Sequence, residues 1–156
     1  MMDGVKKILI IGYGNPGRLD DGIGPYFAGL VEERALPGVT VDADYQLTVE
    51  DAANVAEHDV VIFADASLEG KEPFFFEEVR PGDPNSFTTH SVEPPAVMAL
   101  AHDLFDAETE GYVLGIRGYE FDEFGEKLSS RARKNVEKAL DFILDFVGKN
   151  TVSPKK

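Results

Sequence analysis

The sequence predicts an α/β fold: a single three-layer domain, with a mainly parallel, twisted sheet of about five strands and helices on both faces. Two observations carry this. The runs "KKILII" (6–11) and "VVIFA" (60–64) are apolar without polar alternation, as strands buried on both faces require. They are interleaved with segments whose apolar residues recur at helical spacing. A chain of 156 residues, 43% of them apolar, is also long enough to bury one core.

The elements follow in order. The first strand, Lys6 to Ile11, stops at Gly12. From Gly24 to Arg34, Phe27, Leu30 and Val31 mark a helix, and Pro25 suits its first turn. Val39 to Ala43 reads as a strand and Thr48 to Glu57 as a short helix. Val60 to Ala64 is the clearest buried strand, with Asp65 at its C-terminal end. Phe74 to Val79 is a strand, Pro94 to Leu104 a helix and Tyr112 to Ile116 another strand. Three consecutive aromatics, Phe74 to Phe76, cannot share one strand face, so at least one points to the other side. In the last helix, Leu128, Ala132, Val136, Leu140, Ile143 and Val147 form one apolar stripe. The domain is expected to span 1–148, with 149–156 a fraying polar tail.

With 15 basic against 29 acidic residues, the net charge is −14. That argues against nucleic acid or anionic membranes as partners and leaves room for a basic partner or a metal ion. The absence of cysteine excludes disulfides, thiolate metal sites and a cysteine nucleophile. The first apolar run is too short for a signal peptide, and no run is long enough to span a bilayer. A cytoplasmic monomer is expected.

The loop "GYGNPG" (12–17) matches the dinucleotide fingerprint G-x-G-x-x-G, and Asp42 and Asp44 sit where a ribose-binding acid belongs. Against a nucleotide, Pro16 lacks an N–H, no helix starts at Gly17, and Asp20 and Asp21 face the loop mouth. Each carboxylate would repel a pyrophosphate by roughly 1–4 kcal/mol at ~4 Å. One of the pair is expected to cap the following helix, leaving the other to enter the cleft.

In open α/β sheets, ligands bind beyond the carboxyl ends of the strands. The acidic pair, Asp65 and the loop histidine His90 of "FTTHSVEPP" all fall at that edge. Two carboxylates and an imidazole converging there suit zinc or nickel. His58 and His102 read as surface residues.

The succession "GYGNPGRLDDGIG", "VIFADAS" and "TTHSVEPPAVMAL" resembles the hydrogenase maturation endopeptidases over nearly the whole chain. Those enzymes remove a C-terminal extension from the large subunit of nickel–iron hydrogenases. The resemblance implies that Asp21, Asp65 and His90 bind a metal ion and carry catalysis. It further implies nickel already loaded into the precursor as the recognition handle, with no nucleotide. Metal-assisted hydrolysis and a metal-free, aspartic-type attack by Asp21 and Asp65 both fit. Two other readings are a dinucleotide-binding oxidoreductase using "GYGNPG" and a non-catalytic chaperone of a metallated partner.

Overall fold

The computed structural model describes residues 6–82 and 92–151. Its five-stranded sheet has the order β2-β1-β3-β5-β4. The strands are β1 (Ile8–Tyr13), β2 (Val39–Asp44), β3 (Val60–Ser67), β4 (Phe74–Val79) and β5 (Glu110–Arg117). β1 runs parallel to β2 and β3, β3 runs parallel to β5, and β4 is antiparallel to β5. The helices are α1 (Ile23–Glu33), α2 (Asp51–Ala56), α3 (Pro94–Phe105) and α4 (Ser130–Thr151), and a single 3-10 turn, Leu19–Gly22, precedes α1.

The two apolar strands lack alternation because each feeds two cores. Ile8, Ile10, Val60 and Ile62 pack with Phe27 of α1 and with Ala132, Val136 and Ile143 of α4. Leu9, Ile11, Val61 and Phe63 pack with Val55 of α2 and Val97 of α3. The sheet therefore lies between an α1/α4 layer and an α2/α3 layer, as expected of strands with no solvent face. The predicted stripe of α4 is buried along its length. That helix continues past Gly148 to Thr151, so Lys149 to Thr151 extend it rather than forming a tail, and the Asn150 side chain bonds back to the Phe146 carbonyl at 2.8 Å. Among the described residues no helix is long and apolar enough to cross a membrane.

The three phenylalanines divide as strand geometry demands. Phe74 and Phe76 lie against Phe142 of α4, with ring centroids 5.2 and 5.0 Å away. Phe75 turns to the opposite face and covers Gly115, where a Cβ would come within 2.2 Å of its ring. β3 runs three residues beyond the predicted end at Ala64, because β5 keeps pairing with it through Asp65↔Gly115, Ala66↔Ile116 and Ser67↔Arg117. Asp65 is thus inside the last stretch of the strand, not beyond it.

The start of α1 is pressed onto the sheet. A Cβ on Gly24 would lie 2.2 Å from the Tyr13 carbonyl oxygen and 2.7 Å from that of Ala64. Both are backbone atoms and cannot swing aside. Gly24→Ala is therefore expected to cost about 1–3 kcal/mol through overpacking. Gly29, on the same helix, has nothing within 4 Å of its Cβ position, so Gly29→Ala should be neutral or gain up to ~1 kcal/mol. Thermal melts of the two variants check this, and equal melting temperatures would contradict the close approach.

Candidate active site

The chain leaves β1 toward β2 on one side of the sheet and leaves β3 toward β4 on the other. Between β1 and β3 lies the topological switch point, where such sheets form a crevice. The last β1–β3 pair is Gly12↔Ala64. Beyond it β1 ends at Tyr13 while β3 continues, so Tyr13 and Asp65 stand next to each other on the α2/α3 face.

Asp65 is half-buried, and its Oδ1 accepts the Ala66 N–H at 2.7 Å. Burial pushes its carboxyl up. The Ala66 N–H pulls it back, the negative charges of Asp21 and Glu93 push it up again, and the Tyr13 hydroxyl lowers it. The balance leaves it raised from 3.8 to about 7. Asp21 is therefore close enough for its charge to act on Asp65. The Asp21 Oδ2 accepts the Asn15 N–H at 3.2 Å, which ties the carboxylate to the glycine loop.

The expectation that one member of the acidic pair caps the next helix is corrected. No side chain caps the 3-10 turn or α1. Asp20 is fully buried and serves the N-terminus of α4 instead. Its Oδ1 accepts the Ser129 N–H at 2.8 Å. Its Oδ2 accepts the Ser129 hydroxyl at 2.8 Å and the N–H groups of Tyr119 and Glu120 at 2.8 and 3.0 Å. The Ser129 Oγ in turn accepts the Ala132 N–H at 3.2 Å, as an N-cap should. Backbone bonds run beside these: Leu19 N–H to the Gly125 carbonyl, Gly125 N–H to Gly17, and Asp20 N–H to Glu120. The loop that carries Asp21 is thereby joined to the β5–α4 connection.

A cavity of about 400 Å³ opens beside Asp65 on the α2/α3 face. Tyr13, Asp65, Phe75, Glu77, Val79 and Glu93 contribute to its wall. Sequence reasoning missed Tyr13 and Glu93. Tyr13 was hidden as the variable position of G-x-G, although it continues the Leu9 and Ile11 face of β1. Glu93 stands immediately before α3, at the mouth of the cavity.

Asp65 lines the cavity and feels the charge of Asp21, which does not itself line it, whereas His90 lies outside the described residues. His58 is held in the surface by contacts of Nδ1 with the Asn54 carbonyl at 2.7 Å and of Nε2 with the Thr40 hydroxyl at 3.1 Å. His102 is exposed on α3 beside Asp103. Neither lines the cavity that holds Asp65.

In the glycine loop the backbone donors are taken up by the chain itself. The Gly14 N–H donates to the Asp44 carbonyl, Asn15 to Asp21, Gly17 to the Asn15 side chain and Arg18 to the Asn15 carbonyl. With Pro16 lacking a donor, these amides are engaged within the protein. The helix begins only at Ile23. A pyrophosphate site needs free amides at a helix N-terminus.

No family model matches the chain, and no curated protein matches it either. Solved structures do. The [NiFe] hydrogenase maturation protease HycI from Thermococcus kodakarensis KOD1 superposes with a TM-score of 0.71 at 21% identity, covering 92% of this chain and 94% of that one. The hydrogenase maturating endopeptidase HybD from E. coli gives 0.69 at 21%, covering 92% and 93%. The hydrogenase 2 maturation peptidase from Thaumarchaeota archaeon SCGC_AB-539-E09 gives 0.69 at 22%, covering 92% and 99%. This chain has the α/β fold of the hydrogenase maturation proteases.

Proposed function

We propose that this protein is an endopeptidase that removes the C-terminal extension of a nickel-loaded nickel–iron hydrogenase large-subunit precursor. It would act in the cytoplasm as a monomer. One observation supports the reading: Asp65 stands at the switch point of a fold shared with maturation proteases, within reach of the charge of Asp21.

Nickel enters this scheme as part of the substrate. The residues fit a cation. Burial and the neighbouring charges of Asp21 and Glu93 disfavour the ionised form of Asp65, and a positive ion would relieve that cost. Both donors are carboxylate oxygens, and the Asn15 and Ala66 N–H groups orient them. A bound metal polarises a carbonyl or activates water. The work of this chain would be to complete the ion's coordination through Asp21, Asp65 and, by resemblance, His90, and so to hold the scissile bond in the crevice. In the alternative without a metal, Asp65, with its carboxyl raised to about 7, suits a general base that takes a proton from water. A site with so few ligands should hold free metal far less tightly than a closed structural zinc site, whose binding energy is roughly 10–16 kcal/mol.

The test is gel mobility of a purified precursor incubated with this protein. Nickel-loaded precursor should be shortened, and nickel-free precursor should stay intact even when nickel is given to the enzyme beforehand. His90→Ala should abolish shortening, whereas His58→Ala and His102→Ala should not. Efficient cleavage of nickel-free precursor by chelator-treated enzyme would replace metal recognition with aspartic-type attack. Stable binding without cleavage would make the protein a chaperone. Micromolar NAD or NADP binding by calorimetry would favour the oxidoreductase.

A further inference from the structure

We infer that Tyr45 and Phe124, with Arg18 between them, form a docking surface for the folded body of the precursor, which there presents an apolar patch framed by basic side chains. The inference rests on the endopeptidase reading and deepens it. The crevice takes the scissile bond, and this surface holds the protein that carries it.

The two rings are attached to the loop that carries Asp21. Tyr45 directly follows β2, and the Asn15 side chain donates to its hydroxyl at 2.6 Å. The Arg18 N–H donates to the Asn15 carbonyl at 3.1 Å, and the Arg18 guanidinium lies over the Phe124 ring, 5.2 Å from its centroid. Asn15 also donates its own N–H to Asp21. The backbone beside each ring is tied to the same loop. The Gly14 N–H donates to the Asp44 carbonyl at 3.1 Å, and Gly125 donates to Gly17 and accepts from Leu19, both at 2.8 Å. Held in this way, Tyr45 is still 63% exposed and Phe124 82%, the most of any large hydrophobic side chain among the described residues. A single exposed aromatic needs no explanation. Two of them fixed on one loop with an arginine between, beyond the carboxyl end of β1, have the composition of a protein-binding surface. Rings already fixed lose little freedom on binding.

Charge decides the occupant. Asp44 and Glu50 are exposed near Tyr45 in the chain, and Asp122, Glu123 and Glu126 near Phe124, against only Arg18 and Lys127 of opposite sign. The whole chain carries −14. A second copy would bring like charges face to face, and an anionic lipid surface would be repelled. A protein whose apolar patch is framed by lysines and arginines is attracted instead. The precursor is the protein that must be held while its extension lies in the crevice.

Tyr45→Ala and Phe124→Ala remove exposed rings and should melt within a few degrees of the parent. With nickel-loaded precursor each should raise KM roughly 5- to 30-fold while kcat changes by less than about twofold. Calorimetry of precursor binding should show the same loss of affinity, and the parent's affinity should fall as salt is added. Tyr45→Phe keeps the ring and loses only the bond to Asn15, so its KM should stay near the parent's. Phe105→Ala removes another exposed ring, beside Asp59 at the opposite edge of the sheet, and should leave KM unchanged. An unchanged KM in both alanine variants would overturn the inference. So would a Tyr45→Phe protein as impaired as Tyr45→Ala, since Tyr45 would then act only by holding Asn15. Light scattering that showed the parent to be a dimer, and Phe124→Ala a monomer, would assign the surface to a second copy instead. A parent that binds precursor without shortening it would sink the endopeptidase reading, while calorimetry of parent and variants would still test the surface.

Discussion

Asp65→Asn is expected to shorten no precursor and yet to melt at a higher temperature than the parent at about pH 8. The activity half follows from the chemistry, since loss of a general base or ligating carboxylate costs about 10²- to 10⁴-fold or more. The stability half follows from linkage. The Asp65 carboxyl titrates at about 7 in the fold against 3.8 unfolded. The native state therefore binds the proton more tightly. Its ionised form is a cost that is absent below the unfolded value, grows as pH rises toward about 7, and is constant above it. Asparagine has no such charge and can still accept the Ala66 N–H. The gain should be about 2–4 kcal/mol at most, or roughly 5–10 °C. At about pH 4 the two proteins should melt together. Asp21→Asn should also be inactive, and it removes one of the charges that raise Asp65. Thermal melts at the two pH values decide the matter. An Asp65→Asn protein less stable than the parent at pH 8 would mean that the site is not strained by buried charge.

How much of this was legible depends on where the determining partners sit in the chain. β1 and β3 were readable as unbroken apolar runs and α4 by its hydrophobic period, although β1 runs two residues past its expected end at Ile11. The place of Asp65 at the crevice was readable because topology sends strand ends to one edge. The end of β3 was not, since it is set by pairing with β5, some fifty residues later. Tyr13 was masked by a motif whose glycines drew attention to phosphates, although its side chain simply continues a strand face. Asp20 was misread for a stronger reason. Its partners are mostly backbone N–H groups about a hundred residues away, and backbone donors leave no mark on a sequence. A carboxylate before a helix suggests the nearest helix, and only the folded chain shows that it serves a distant one.

Asp20→Ala should accordingly be the most destabilising substitution near the site. The carboxylate is fully buried and accepts four hydrogen bonds, three of them from backbone N–H groups that cannot turn elsewhere. Removing one side of a buried, charged network costs about 3–5 kcal/mol. For a chain of this size that is a fall of roughly 10–15 °C in melting temperature. Part of the loss is electrostatic, because the carboxylate faces the positive N-terminal end of α4. Asp20→Asn should fall between parent and alanine, since its amide turns donors toward donors. The pH dependence has the opposite sign to that of Asp65. Burial pushes the Asp20 carboxyl up, but the N–H groups of Ser129, Tyr119 and Glu120 and the Ser129 hydroxyl together bring it below 3.8. Its contribution is fully present above the unfolded value and is lost as pH falls through the lower folded value. Melts of parent and Asp20→Ala should therefore differ most above about pH 5 and converge in strong acid. Activity should suffer as well, because the loop bearing Asp21 is joined to the β5–α4 connection through these bonds. An Asp20→Ala protein with the parent's melting temperature at neutral pH would show that the two loops are held together by something other than this carboxylate.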